Sequence, residues 1–336
     1  MLQFNENGIY CPDGNFYIDP WKPVGRAITT HAHSDHARPG SKHYLAHRDS
    51  SAVMRLRLGA DISLQTLGYG EPLAINGVKV SLYPAGHIPG SAQVRVEKGG
   101  EVWVVSGDYK IQPDGVCEPF EPVPCHTFIT ESTFGLPVYH WQPQSLVFQD
   151  INNWWRQNQS AGKVSVLCGY SLGKAQRIVK NIDLGIGRVF SHGAIFNVNE
   201  TLREAGLDLP FLPKVTDGFS KKDFEGALIV APPSVGGTTW LKRFGPHSLA
   251  VCSGWMQVRG NARRRNVDRG FVLSDHADWD GLLYAVKATA AEKVFVTHGF
   301  TSIFSRYLNE TGIQAAEVKT EFGTEEEDTP NTEKAA

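Results

Sequence analysis

The chain has no two cysteines at C-x-x-C spacing. Its five, Cys11, Cys117, Cys125, Cys168 and Cys252, are widely scattered. That excludes a zinc ribbon or a dithiol redox motif and points to reduced, mostly buried thiols. There is also no apolar run long enough to span a bilayer. The start, "MLQFNENGIY", lacks the basic residues and apolar stretch of a signal peptide. A soluble protein of the cytoplasm, without a membrane partner, is therefore expected. Neither sign of charge dominates: 33 Lys and Arg face 35 Asp and Glu, a formal net charge of −2. This excludes a uniformly basic nucleic-acid binder but leaves room for one local basic face. No repeat of fixed period is visible.

What is present suits a globular protein. With 336 residues, 41% of them hydrophobic, the chain can bury a sizeable core in one large domain or two modest ones. The last stretch, "TEFGTEEEDTPNTEKAA" from Thr320, is acidic and nearly free of large apolar residues. It cannot build a core, so 320–336 is expected to be a disordered tail. Upstream, short β-branched runs end abruptly in polar residues. "VKVSLYPAGH" runs into His87, "EVWVVSGD" into Asp108 and "HTFITES" into Glu131. "GFVLSDH" runs into His276 and "EKVFVTHG" into His298. Such runs read as buried strands. Helix-like segments such as "SLVFQDINNWWRQNQS" and "SLGKAQRIVKNI" lie between them, so an α/β protein is expected. Chemically capable side chains thus fall just past strand ends, where α/β folds gather their ligand sites.

The densest of these points is "THAHSDHARPG", Thr30–Gly40, with three histidines and an aspartate inside His31–His36. In extended backbone His31, His33 and Asp35 share a face, and His36 breaks the alternation toward a second centre. Imidazoles with a carboxylate suit borderline cations such as Zn²⁺. A polar turn with incidental histidines is the alternative, but from this composition H-x-H-x-D-H is expected only on the order of 10⁻³ times per chain. The remaining ligands must come from other strand ends. His87 in "PAGHIPGSA" and His298 in "VTHG" are candidates. Asp108 follows a very apolar strand, where a carboxylate is costly without a cation or donors, so it suits a ligand bridging two cations.

H-x-H-x-D-H, a lone His about fifty residues later and an Asp about twenty beyond that resemble the metallo-β-lactamase superfamily. The resemblance implies an αββα sandwich with a dinuclear site of two divalent metal ions, Zn²⁺ or Mn²⁺, at one edge. It implies that His31, His33 and His87 hold one metal, and that Asp35 and His36 hold the second, with Asp108 bridging. Asp19, in "YIDP", would support the metal-binding loop. "TESTFG", "SDHAD" and "VTHG" are further similar to three motifs of the β-CASP nucleases. On that pattern Glu131 orients His276, His276 acts as the acid beside Asp108, and His298 completes the second metal's ligands. About 140 residues separate Gly135 from Ser274, room for the inserted α/β domain of that group. The implied boundaries are 1–142 and 255–319 for the sandwich and 143–254 for the insert.

"SGDYKIQPDGVCEPFEPVPCHTFITESTFGLPVY" resembles the bacterial ligase-associated DNA exonuclease family. A metal-dependent exonuclease in DNA repair is then expected, with nucleic acid as substrate and a DNA ligase and helicase as partners. The His of "VTHG" is commoner in RNA-processing members, which keeps an RNA nuclease open. A catalytically silent binding subunit is a third reading, and a small-ester hydrolase a fourth. "MQVRGNARRRNVDRG" places Arg259, Arg263, Arg264, Arg265 and Arg269 within eleven residues, candidate clamps for substrate phosphates or simply a solvated face. "NNWWRQ" and Trp240 offer base stacking or, more ordinarily, core packing. Asp278 reads as a helper of the site or a helix cap.

Overall fold

The computed structural model describes residues 1–258, 260 and 266–320, and within these the chain forms two units. The first unit takes Met1–His140 and, among the described residues, 276–320; the second takes Trp141–Asp275.

The first unit begins with six short strands, β1 (Gln3–Asn5), β2 (Gly8–Cys11), β3 (Phe16–Ile18), β4 (Arg26–Ile28), β5 (His43–His47) and β6 (Leu64–Leu67), paired in chain order in one sheet. Helix α1 (Ser51–Leu58) lies between β5 and β6. A second sheet follows with β7 (Leu73–Ile75), β8 (Val78–Pro84), β9 (Ala92–Lys98), β10 (Glu101–Val105) and β11 (Thr127–Ser132). Strands β7 to β10 pair antiparallel, and β10 pairs parallel with β11.

Alternation along the strands decides what packs where. Trp103 and Val105 of β10 join Ile18, Ile28, Leu45, Val80 and Val94 in one apolar cluster, so the two sheets share a core. Val102 and Val104, on the opposite face of β10, join a different cluster with Trp279, Leu282, Phe304 and Leu308 of two helices that arrive later in the chain. Strand β11 is buried at all six positions because both of its faces are covered. Each fully buried side chain of this kind contributes about 1.5–3 kcal/mol.

The second unit opens with α2 (Gln144–Ser160) and carries a five-stranded, wholly parallel sheet. Its strands are β12 (Val164–Cys168), β13 (Val189–Ser191), β14 (Leu228–Ala231), β15 (His247–Cys252) and β16 (Arg269–Phe271), in the order β13-β14-β12-β15-β16. Helices α3 (Lys174–Asn181) and α4 (Gly193–Glu204) are its crossovers. Trp154 and Trp155 of α2 are buried in this unit's core, and Trp155 Nε1 donates to the Gly226 carbonyl at 2.9 Å. They pack rather than stack on a ligand. "GYSLGK" is the turn into α3, with Gly173 at φ +93° as its cap.

The chain re-enters the first unit through α5 (Trp279–Ala288), β17 (Lys293–Gly299), α6 (Thr301–Glu310) and β18 (Gln314–Glu317). Asp278 caps α5, its Oδ1 accepting from the Gly281 amide at 2.9 Å. Strand β17 pairs parallel with β11, completing a seven-stranded sheet.

The second unit runs beyond the far end of the span read at 143–254 and reaches Asp275. The reason is β16, which pairs in parallel with β15 and extends that sheet by one strand. Among the described residues no helix is long and apolar enough to cross a membrane. The tail expectation for 320–336 lies outside the described residues beyond Thr320.

Candidate metal centre

Three loops, a pair of adjacent strands and the His276 segment of the first unit meet at one edge of its paired sheets. The first follows β4. Asp19, in the left-handed region at φ 44° and buried, organises it from below. Its Oδ1 accepts from the Thr30 amide at 2.8 Å, and its Oδ2 accepts from the Thr30 hydroxyl at 2.6 Å and lies 2.7 Å from His36 Nδ1. The turn is closed by the His36 and Ala37 amides, which both donate to the His33 carbonyl. The expected supporting role of Asp19 thus has a physical form: one carboxylate ties both ends of His31–His36.

The second segment follows β8 and carries His87, whose amide donates to Ser91 Oγ at 3.0 Å. The third follows β10. Gly107 sits at φ +56° with any Cβ only 2.6 Å from Thr30, so glycine lets the Asp108 loop close on the His31 loop. The fourth comprises β11 and β17. Ser132 Oγ donates to the Thr297 and His298 carbonyls at 3.1 and 2.8 Å, which seats His298 against β11.

Three clusters of ligand atoms result, each within 4.8 Å, and Asp108 belongs to all three. They are His31, His33, His87 and Asp108; His36, Asp108 and His298; and Asp108, Glu131 and His276. Asp108 Oδ2 lies 3.5 Å from His31 Nε2, 3.6 Å from His36 Nε2 and 3.8 Å from His87 Nε2. Its Oδ1 lies 2.8 Å from His298 Nε2. Glu131 accepts the Tyr109 amide at 2.7 Å and holds His276 Nδ1 at 2.9 Å. The structure therefore gathers all of these sequence candidates. Asp35 stands apart from the clusters, half-exposed, with Oδ2 3.6 Å from His36 Nε2.

Electrostatics show what the arrangement lacks. Burial, reinforced by His36, pushes the His31 imidazole well below its ordinary value, so it is neutral. His31 Nε2 is buried without a hydrogen-bond partner, an orphaned acceptor aimed at a carboxylate. Burial also works against charge on His36, yet Asp108, Asp35 and Asp19 outweigh it and push its pKa up to about 10. Burial opposes charge on Asp108, but His36 and His298 hold its carboxyl well below the usual range. Imidazole nitrogens converging on an ionised carboxylate, that of His31 neutral and without a hydrogen-bond partner, are a donor set for borderline divalent cations. The residues fit the expected metals on this ground.

Of the arginine cluster, Arg259, Arg263, Arg264 and Arg265 lie outside the described residues. Arg269 is exposed on β16 of the second unit, its guanidinium 5.4 Å from the Phe271 ring centre. Among the described residues, two arginines not anticipated lie beside the His31–His36 loop. Arg57 donates to the Ala32 carbonyl at 2.9 Å, and Arg38 donates to the Trp21 carbonyl at 3.0 Å. Thr30, Ser91 and Ser132 were also missed; only Thr30, beside His31, had a positional signal.

No protein-family profile matches the chain. Over 311 residues, 92% of its length, the chain is 31% identical to the "Probable DNA ligase" of Opitutus terrae, of which it covers 30%. It is 30% identical over 122 residues, 36% of its length, to the "Endoribonuclease YSH1" of Eremothecium gossypii, covering 16% of that protein. The chain spans less than a third of the length of either curated relative. A crystal structure described as a protein of unknown function from Enterococcus faecalis V583 aligns at TM-score 0.62 and 11% identity, covering 89% of this chain and 80% of the other. At that identity the likeness is one of fold.

Proposed function

Because the chain belongs to the β-CASP group of the metallo-β-lactamase superfamily, we propose that it is a metal-dependent nuclease that hydrolyses phosphodiester bonds. The two-sheet unit is then the αββα sandwich, and the second unit, 141–275, is the β-CASP insert. One observation carries the reading: Asp108 is shared between two histidine clusters and a buried Glu131–His276 pair. A metal-suited donor set and a proton donor thereby occupy one place.

The residues divide the work as follows. His31, His33, His87 and Asp108 would hold one divalent ion, and His36, His298 and Asp108, with the flanking Asp35, would hold a second. Zn²⁺ or Mn²⁺ there would lower the pKa of an attacking water and offset charge on the phosphate. Glu131 accepts from Nδ1–H of His276, fixes the ring's direction and favours its imidazolium form, so that Nε2–H can protonate the departing sugar oxygen and leave a neutral imidazole. Asp19 keeps the ligand loop closed. Arg259, Arg263, Arg264, Arg265 and Arg269 meet the phosphate backbone.

DNA is the favoured polymer, and an exonuclease working in repair in the cytoplasm the favoured role. The support is the relative named a DNA ligase, which matches nearly the whole chain, whereas the endoribonucleases match about a third of it. A DNA ligase is accordingly the proposed partner, with a helicase of the same repair system. The endoribonuclease relatives favour a second reading, an RNA-processing nuclease. Digestion of end-labelled DNA and RNA of both strandednesses, with Zn²⁺ and with Mn²⁺, separates the two. Cleavage of RNA alone overturns the DNA reading. Absence of bound metal together with absence of hydrolysis returns the chain to a binding subunit.

A further inference from the structure

A buried ion pair outside the ligand set touches two of the ligand loops. Lys110 lies two residues beyond Asp108, and its side chain is almost completely buried. Its Nζ donates to the Gly86 carbonyl at 2.8 Å and is paired with the Asp114 carboxylate. Its amide donates to the Ala85 carbonyl at 3.0 Å. Gly86, at φ +75°, lies so close under Lys110 that a Cβ would meet the Lys110 carbonyl oxygen at 2.4 Å. Asp114 is itself held by the amides of Val116 and Cys117 at 2.8 and 3.0 Å.

The consequence falls on a single peptide. The Gly86–His87 unit is pinned at both ends, its carbonyl by Lys110 Nζ and its N–H by Ser91 Oγ. With both ends held, that peptide plane cannot rotate, and the direction in which the His87 side chain leaves the backbone is set. On the other side, the Tyr109 amide donates to Glu131 and the Tyr109 carbonyl accepts from the Ala277 amide at 2.7 Å. Asp108–Lys110 thus joins the His87 arm to the Glu131–His276 pair. Packing alone does not explain the pair, because buried ion pairs are commonly matched in stability by apolar residues of similar volume. An apolar pair would supply no donor for the Gly86 carbonyl.

We propose that Lys110, with its charge balanced by Asp114, is a positioning residue that fixes the His87 arm against Asp108 and so sets the affinity of the metal centre. This rests on the metal reading of the site. Outer partners of metal ligands typically account for 10–100-fold in affinity.

The experiment is zinc titration against a competing chelator, beside thermal melting of the metal-free chains. Lys110→Met with Asp114→Asn removes both charges and the donor while keeping similar volume. It is expected to bind zinc about 10–100-fold more weakly than wild type while its metal-free form melts nearly as the wild type does. Lys110→Arg, which restores a donor, is expected to recover most of that affinity. Unchanged affinity in the double variant overturns the proposal, as does a loss of melting temperature with zinc binding intact. If the double variant does not fold, hydrogen exchange on the wild type decides. Zinc should slow exchange at the His87 and Lys110 amides as well as at His36; a response at His36 alone overturns it. Zinc binding by the wild type tests the metal centre separately, so a loss confined to the variants reports on Lys110.

Discussion

In the first unit Asp108 is approached by four histidines within 4 Å, and in the second Asp275 is approached by Lys174 at 3.4 Å and Arg177 at 3.3 Å. All of these groups but His298, which is partly exposed, are buried, and both carboxylates lie near strand ends. They differ in what neutralises them. Asp275 faces fixed cations supplied by the fold, and Arg177 also donates to the neighbouring Ser274 carbonyl. Asp108 faces imidazoles, one of them neutral with an orphaned nitrogen, and another holding a proton only because three carboxylates surround it. Among the described residues, clusters able to hold a metal occur only in the first unit. Burial of charge therefore does not mark a site by itself; imidazole donors gathered on one shared carboxylate do.

The largest effect should follow from breaking the first side of this contrast. Asp108→Asn removes the group common to all three clusters, and loss of bound metal with at least a 10³-fold fall in hydrolysis is expected. Elemental analysis and digestion of labelled DNA check both; retention of full metal content would refute the shared-ligand assignment. His276→Ala sharpens the contrast within the site. It should keep the metals and lower turnover by about 10²–10⁴-fold, since an acid rather than a ligand is lost. Falling metal content in that variant would move His276 into the ligand set.

The second unit should respond in stability instead. Lys174→Met removes one of the cations facing Asp275 and should cost about 2 kcal/mol, less than for a fully orphaned buried charge because Arg177 stays. Metal content should not change. Denaturant melts and elemental analysis of the same preparation separate brace from site. A smaller effect comes from pH. The His36 proton must leave before a cation takes its nitrogen, so zinc affinity should rise with pH, at most about tenfold per unit, toward pH 10. The metal-free chain should show the opposite trend. A raised folded-state pKa gives stability that is complete below the ordinary histidine value and is lost as pH rises through about 10. Metal-free melts that stay flat between pH 6.5 and 10 would remove His36 from that account.

Much of the candidate site was legible because the residues gathered there are rare types at strand ends, where two independent patterns agree. Asp108 could be read from the apolar run before it, and His31–His36 from density alone. Ser91, Ser132 and Lys110 could not, because serine and lysine are common and their roles arise from contacts between distant segments. The far end of the second unit was not legible for a related reason. Strand β16 has three residues, one of them arginine, and its identity comes from pairing with β15 rather than from its own composition. The two tryptophans of α2 followed the ordinary rule for an amphipathic helix, packing inward.

The smallest expected effect concerns Arg269, where the two units' roles would meet in one polymer. Its guanidinium over Phe271 is worth about 0.5–1 kcal/mol to the second unit, so Arg269→Ala should lower stability only slightly. As a phosphate contact it would do something different. Binding of single-stranded DNA to the Asp108→Asn chain should weaken by a similar factor for every sequence, and the slope of log affinity against log salt should fall by about 0.7. An unchanged slope would confine Arg269 to packing on its aromatic neighbour. A reduced slope with an unchanged melting temperature would give the second unit a function that its internally neutralised carboxylate, Asp275, does not provide.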